Sequence, residues 1–390
     1  MDNFIFHIPT KIMFGRGAEN SVGAEAARYS KKVLLHSGGA SAEKSGLLGR
    51  VRASLKTAGV EWVELPGVRP NPVLSLVRTG IELCRREKVG LVLAVGGGSV
   101  IDSAKAIAAG ALYSGDVWDF YSGAASAPEK ALHIATILTI PAAGSESSPG
   151  SVLTNEDGAL KRAVNADCLY PRFSILNPEL ASTLPDNQVA NGVADIMAHL
   201  MERYFTNVRN VEYSDRLIEA SLRTVISVGS RALADRLDYN AWAELMWAGC
   251  VAHNNLLDRG RMGDWASHDI EHELSGIYDI AHGSGLSIVF PAWMKYNLAH
   301  DPARFTQYAV RVWGVEADSF NPERVAGEGI NRLEEFWKNL GLPIRLADLG
   351  IGLDRISEMA GKATRHDTAT VGQFVKLRKA DIEKIYRLAE

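Results

Sequence analysis

The segment DWASHDIEHELSGIYDIAHGSG, residues 264–285, places His268, His272 and His282 within fifteen residues of a chain that has ten histidines. His268 and His272 are four apart and share one face of a helix. His282 lies fourteen residues beyond His268, roughly 21 Å along an unbroken helix, too far for one ion to span. For the three to act together the helix must end between them, and Gly276 is the expected stop before YDIAHGSG carries the chain back. Upstream, NGVADIMAHLME carries Asp195 and His199 at i, i+4 among Val193, Ile196, Met197 and Leu200. That pair faces a partly buried space, where a carboxylate needs compensation. One carboxylate and up to three imidazoles, with no thiolate, suit Zn²⁺ or Fe²⁺. The same residues also fit unrelated core or capping histidines beside a plain Asp–His hydrogen bond, and spacing alone leaves both open.

A second chemistry is written in LVLAVGGGSVIDSAK, where Gly96, Gly97, Gly98 and Ser99 stand between an apolar run and a helix pattern. Glycines admit close backbone approach, and free N–H groups at a helix start favour an anion, here a phosphate. A tight strand-to-helix turn can use glycine for its own sake, but three followed by serine favour phosphate. The usual dinucleotide fingerprint is absent: its third glycine would be Ile101, and no acid closes a following strand about 20 residues on. Asp116 and Asp119 have roughly that spacing, but YSGDVWDFYSG is expected to be a loop. A second glycine turn, HSGGAS at 36–41, follows another strand-like run. Two such turns on parallel strands lie at one sheet edge, which suits a dinucleotide.

The elements that must position these groups fall into two textures. KKVLLHSGG, GVEWVELPG, VGLVLAVGGGS, ALHIATILTIP and FSILNP alternate with helical patterns, which indicates a doubly wound parallel sheet. From about Pro185 long amphipathic patterns take over. The expectation is therefore an α/β domain over 1–180 and an all-helical domain over 181–390. Length is ample for two cores, and 23% charged residues with a net charge of −4 argue against a nucleic-acid partner. Cys84, Cys168 and Cys250 form neither a disulfide framework nor a metal knuckle. With no apolar run of membrane length and no leader pattern, a cytoplasmic protein without a membrane anchor is expected.

Taken together, IPTKIMFGRGA, GGGSVIDSAK, TIPAAGSES, the P-x4-A-x-G-x2-D-I-M-x4-E pattern from Pro185 to Glu202 and H-x3-H-x9-HG from His268 resemble the iron-containing, group III alcohol dehydrogenases. The resemblance covers nearly the whole chain and is nearest the butanol dehydrogenase and broad aldehyde reductase branch. It implies a Rossmann-like N-terminal domain, an all-helical C-terminal domain and an active site in the cleft between them. It implies Asp195, His199, His268 and His282 as ligands of Fe²⁺ or Zn²⁺, with His272 near the nicotinamide as the catalytic histidine. It further implies that Gly97, Gly98 and Ser99 contact the pyrophosphate and that Asp102 lies near the nicotinamide riboside. Thr139, Ser145 and Lys161 would line the cofactor cleft, with Asn71 near the adenosine end. Asn177 departs from the family's frequent Asp, and PAAGS has alanines where threonine is common.

The function implied is NAD(P)-linked oxidation of small to medium primary alcohols and reduction of the aldehydes, by a homodimer. A divalent ion acts there as a Lewis acid on the substrate oxygen, hydride passes to or from the nicotinamide, and His272 relays a proton. Rival expectations are a dehydroquinate-synthase-like lyase, a glycerol-type polyol dehydrogenase, and a metal-dependent hydrolase in which the glycine turns only build the fold. NADPH is expected over NADH. Gly38 and Gly39 carry no acid against a 2′-phosphate, Ser41 can donate to it, and Lys44 can reach it. Glu43 is the complicating acid.

Overall fold

The computed structural model describes residues 1–390. Eight strands appear: β1 (Lys11–Phe14), β2 (Lys32–Ser37), β3 (Glu61–Leu65), β4 (Leu91–Gly96), β5 (His133–Leu138), β6 (Gly150–Asn155), β7 (Leu160–Asn165) and β8 (Phe173–Leu176). Six form one sheet in the order β1-β8-β5-β4-β2-β3, every neighbouring pair parallel. Strands covered on both faces read as continuous apolar runs, and LVLAVG of β4 is buried at every position. One core joins Val33, Leu35, Leu91, Leu93, Val95, Ala135, Ile137, Phe173 and Ile175 to Val51 and Leu55 of the helix Leu47–Thr57. Because β2 and β4 pair directly, with Ser37 opposite Val95, the two glycine turns leave the sheet side by side.

The antiparallel hairpin β6–β7 and the short edge strand β1 are additions to the expected elements. Within residues 113–123, expected to be a loop, Trp118–Ser122 forms one helical turn, N-terminally anchored by the Asp116 carboxylate on the Trp118 N–H at 2.8 Å.

The chain divides into two compact units, His7–Leu184 and Pro185–Glu390 with Met1–Phe6. The first six residues thus depart from the α/β part to which they were assigned. Their backbone is tied to the helical unit: Asp2 N donates to Gly260 O at 3.0 Å, and the Met1 amino group to Arg209 O at 3.1 Å. Residues 181–184 stay with the sheet. The helical unit contains Asp186–Tyr204, Glu212–Ala234, Tyr239–His253, Ala266–Tyr278 and His282–Asn297, followed by further helices. Asp186–Tyr204 is buried around most of its circumference, as expected of a central helix that is apolar on more than one face. No helix is long and apolar enough to cross a membrane.

Candidate active site

Three helices of the helical unit bring the ligand candidates together. Asp195 and His199 lie on one face of Asp186–Tyr204, with Asp195 Oδ1 3.5 Å from His199 Nδ1. His268, Glu271, His272 and Ser275 follow one face of Ala266–Tyr278 at i, i+3, i+4 and i+7. That helix passes Gly276, the expected stop, by two residues. It ends at Asp279, which takes the left-handed conformation (φ 51°) and donates its N–H to Ser275 O at 3.0 Å. A short polar side chain tolerates that conformation. His282 then opens the next helix.

The glycines of HGSG explain the return. A Cβ on Gly283 would stand 2.2 Å from Asn191 O, and one on Gly285 would stand 2.5 Å from Glu271 Oε1. The first turn of His282–Asn297 is thereby seated against both other helices. Ligand atoms of Asp195, His268 and His282 lie within 4.8 Å of one another, with Asp195 Oδ1 3.8 Å from His282 Nε2. Neighbouring donors around one ion with bonds of about 2.1 Å stand roughly 3.4 Å apart in a tetrahedral site. His199 lies beside this set, its ring stacked on His268 at 4.8 Å between centroids. His272 is nearer His282, at 5.7 Å.

Two carboxylates orient the histidines. Glu202 Oε1 is 2.8 Å from His268 Nδ1, and Glu202 also accepts the backbone N–H of Trp265 at 2.6 Å and of His268 at 3.1 Å. Burial pushes the Glu202 carboxyl up to about 8, with these donors opposing. Glu271 pairs with His282 Nδ1 and accepts the Ser275 hydroxyl. A carboxylate on one ring nitrogen fixes the tautomer and presents the other nitrogen. His199 is held neutral, pulled well below its ordinary value by burial and by His253, His268, Arg203 and His282. Its Nδ1 is buried with no hydrogen-bond partner. A neutral imidazole, a carboxylate and two oriented histidines fit a divalent cation.

Sequence reasoning missed three members of this cluster. Glu202 stood in a quoted motif without a role, and Glu271 had none. Each lies three residues after a candidate ligand, which was the available signal. The third, His253, ends the helix Tyr239–His253 and meets His199 edge-on at 4.3 Å. Trp265 is half-buried with φ 68°. Its ring meets His268 at 5.2 Å, and the Arg203 guanidinium sits 4.7 Å from its centroid.

In the α/β unit Gly38, Gly39 and Ser41 follow β2, Gly97, Gly98 and Ser99 follow β4, and Thr139 follows β5, whereas Asn71 comes after β3 and Lys161 lies on β7. Gly97 caps the helix Gly98–Ala111 with extended backbone. The glycines are demanded by packing, since a Cβ would stand 2.4 Å from Val100 Cγ2 at Gly96, 2.8 Å from Ile140 Cδ1 at Gly97 and 2.7 Å from Ala143 Cβ at Gly98. Ala143 of PAAGS thus lies over the turn, where Thr139 N donates to Gly96 O at 3.0 Å. Asp102 accepts from Ser145 Oγ at 2.6 Å and from Val152 N at 3.0 Å. Lys161 on β7 faces Thr154 of β6, and Thr154 N donates to the carbonyl of Pro72, next to Asn71. Asn71 is buried with φ 54°.

At the first turn Gly38 packs beside Val68 O, and a Cβ on Gly39 would meet open space. Ser41 and Lys44 are exposed on a four-residue helix. Glu43 is bound by both oxygens to Arg52, at 2.8 and 2.9 Å, and the same guanidinium holds Glu64. Asn177 is structural: it donates to buried Glu19 at 2.9 Å and caps the turn after β8. An Asp there would face a like charge.

Comparison with known proteins agrees in both halves. Residues 9–178 match the family model of iron-containing alcohol dehydrogenase, and residues 189–389 match that of the Fe-containing alcohol dehydrogenase family, C-terminal. The chain belongs to the iron-containing alcohol dehydrogenase family. It is 42% identical to NADH-dependent butanol dehydrogenase A of Clostridium acetobutylicum, covering 99% of each chain. It is 35% identical to the NADPH-dependent aldehyde reductase YqhD of Escherichia coli, covering 100% of each. The crystal structure of NADH-dependent butanol dehydrogenase A from Thermotoga maritima superposes with a TM-score of 0.95 at 42% identity, covering 100% of this chain and 99% of that one.

Proposed function

We propose that this chain is a metal-dependent, NAD(P)H-linked alcohol dehydrogenase that reduces small and medium aldehydes and oxidises the corresponding primary alcohols. The observation that carries the proposal is the convergence of Asp195, His268 and His282, with both histidines oriented by buried carboxylates. Asp195, His199, His268 and His282 would hold Fe²⁺ or Zn²⁺. When bound, the ion supplies Lewis acidity to a substrate oxygen, and the nicotinamide gives or takes the hydride. Glu202 and Glu271 keep the imidazoles in one tautomer, and the burial of Asp195, His199 and His268 keeps water from competing. His272, also buried, would hand a proton on from the substrate side. The N–H groups at Gly97–Ser99 would bind the pyrophosphate.

A lyase acting on a phosphorylated substrate needs unpaired basic groups near the histidines. Arg203, beside His199, is engaged by Asp258 at 2.9 Å and by the His199 carbonyl at 2.9 Å. An aldehyde panel read at 340 nm tests the proposal. Net NAD(P)H consumption is the expected result, and none with any aldehyde or alcohol after metal loading overturns it in favour of lyase or hydrolase chemistry. A strict demand for a polyol would favour the glycerol-type alternative.

The cofactor preference we propose is NADPH. The turn after β2 carries no acid at Gly38 or Gly39, and Arg52 engages Glu43. The relatives named above divide, with the more similar ones called NADH-dependent. The ratio of kcat/KM for the two cofactors decides it: an NADH preference of about tenfold, or 1.4 kcal/mol, would end the proposal. Gly39→Asp has room for its side chain and moves the ratio toward NADH from either starting point. We further propose a homodimer, with exposed Phe4, Ile5 and Phe6 available as apolar surface. A monomeric mass by light scattering would refute it.

A further inference from the structure

Lys105 belongs to the motif GGGSVIDSAK but takes no part in the chemistry above. It is fully buried in the third turn of Gly98–Ala111. The three N–H groups of its Nζ are shared among Ser145 O at 2.7 Å, Ser145 Oγ at 2.9 Å, Ser148 O at 2.8 Å and Gly150 O at 2.7 Å. Three backbone carbonyls from one six-residue stretch turn inward on a single ammonium. Without a cation such a convergence is self-repelling, and its oxygens would be buried without donors. Burial pulls Lys105 down to about 8, with Asp102 and Glu146 opposing, so the group is protonated at neutral pH.

The stretch Lys105 gathers is tied to Asp102 and Lys161 and reaches the neighbour of Asn71. The Ser145 hydroxyl touches both Lys105 and Asp102, and Val152 N holds the other Asp102 oxygen. β6 continues to Thr154, which pairs with Lys161 and bonds to the Pro72 carbonyl beside Asn71. We infer that Lys105 is a positioning residue for the dinucleotide site: its ammonium serves as an internal cation that folds residues 145–150 onto the phosphate-binding helix and so sets Asp102, Ser145 and Lys161. This rests on the proposal that those residues line the cofactor site.

The test is dinucleotide affinity, by nicotinamide fluorescence, in the metal-loaded full chain. Lys105→Ala should weaken binding about thirtyfold, the scale of losing charge-assisted hydrogen bonds, while metal content stays at the parent level. Saturating ethylammonium, which restores both charge and N–H donors, should recover most of that loss. Tetramethylammonium, which has charge but no donor, should not. Parent-like affinity in Lys105→Ala, or equal recovery by both cations, overturns the inference. If Lys105→Ala does not accumulate folded, Lys105→Gln carries the test with two donors for four oxygens: affinity about tenfold weaker supports the inference, and unchanged affinity overturns it. Gly97→Ala separates the two levels. Should it leave affinity unchanged, the cofactor-site proposal is at fault; should it weaken binding while Lys105→Ala does not, the positioning role alone fails.

Discussion

In the α/β unit the candidate groups are held by backbone: glycines that leave no room for a Cβ, a helix start, and carbonyls gathered on Lys105. In the helical unit they are held by side chains on three helices, each histidine trimmed by a carboxylate or a ring neighbour. A backbone-built anion site depends on where strands end. A side-chain-built cation site depends on rotamers, and these need hydrogen-bond partners behind them to stay within the tolerance a metal demands. Damage should therefore spread differently in the two units.

The largest effects are expected at the ligands. His268→Ala and His282→Ala should each abolish turnover and lose metal while dinucleotide binding survives, whereas His272→Ala should keep its metal and lose rate. Metal analysis showing His272→Ala depleted and His282→Ala fully loaded would reverse the assignment of the three histidines. The converse case is Gly97→Ala. Its methyl meets Ile140, so the dinucleotide should bind at least tenfold more weakly while metal content is unchanged. Joint loss of metal and dinucleotide in either variant would erase the distinction between the two units.

A smaller effect sharpens the role of Glu202 and Glu271, which hold the histidine rings. Glu202→Gln and Glu271→Gln keep side-chain shape and exchange one carboxyl oxygen facing the imidazole and backbone donors for an amide NH₂, and each should cost about 10–100-fold in metal affinity, measured by competition with a chelator. Parent-like affinity in both would mean that packing alone orients the rings.

The smallest effect concerns a buried acid of the α/β unit. Burial raises Glu146 from 4.5 to about 7, although Lys105 opposes it. Its folded pKa lies above its unfolded one, so its contribution is fully present below pH 4.5 and is lost as pH rises through 7, at most about 3 kcal/mol. Glu146→Gln should therefore gain thermal stability relative to the parent between pH 5 and pH 8, by roughly 5 °C. A constant Tm difference across that range would show that Glu146 does not titrate there.

Much of this arrangement was visible before folding. The parallel sheet followed from apolar runs bounded by glycine, because strands covered on both faces need no polar alternation. The paired glycine turns followed from two strand ends with the same punctuation, and adjacency of β2 and β4 places them together. The histidine spacing was legible because helix periodicity is local. Hidden from it were β1, whose four residues are short for a periodic signal, and the helix stop. Asp279 replaced Gly276 because Ser275 and Glu271 draw the last turn onward toward His282.

Sequence by itself determined which residue types were available and where the chain alternates, since propensity, periodicity and glycine tolerance act over a few residues. Tertiary structure decided which of those residues meet. Gly283 against Asn191 and Gly285 against Glu271 bring His282 to Asp195 across 87 residues of chain. Arg52 of the next helix binds both oxygens of Glu43 beside the glycine turn after β2. Lys105 finds its oxygens about 40 residues downstream. Such contacts follow from close packing between distant segments, where a methyl group or a single charge decides the approach, and no local pattern encodes that distance.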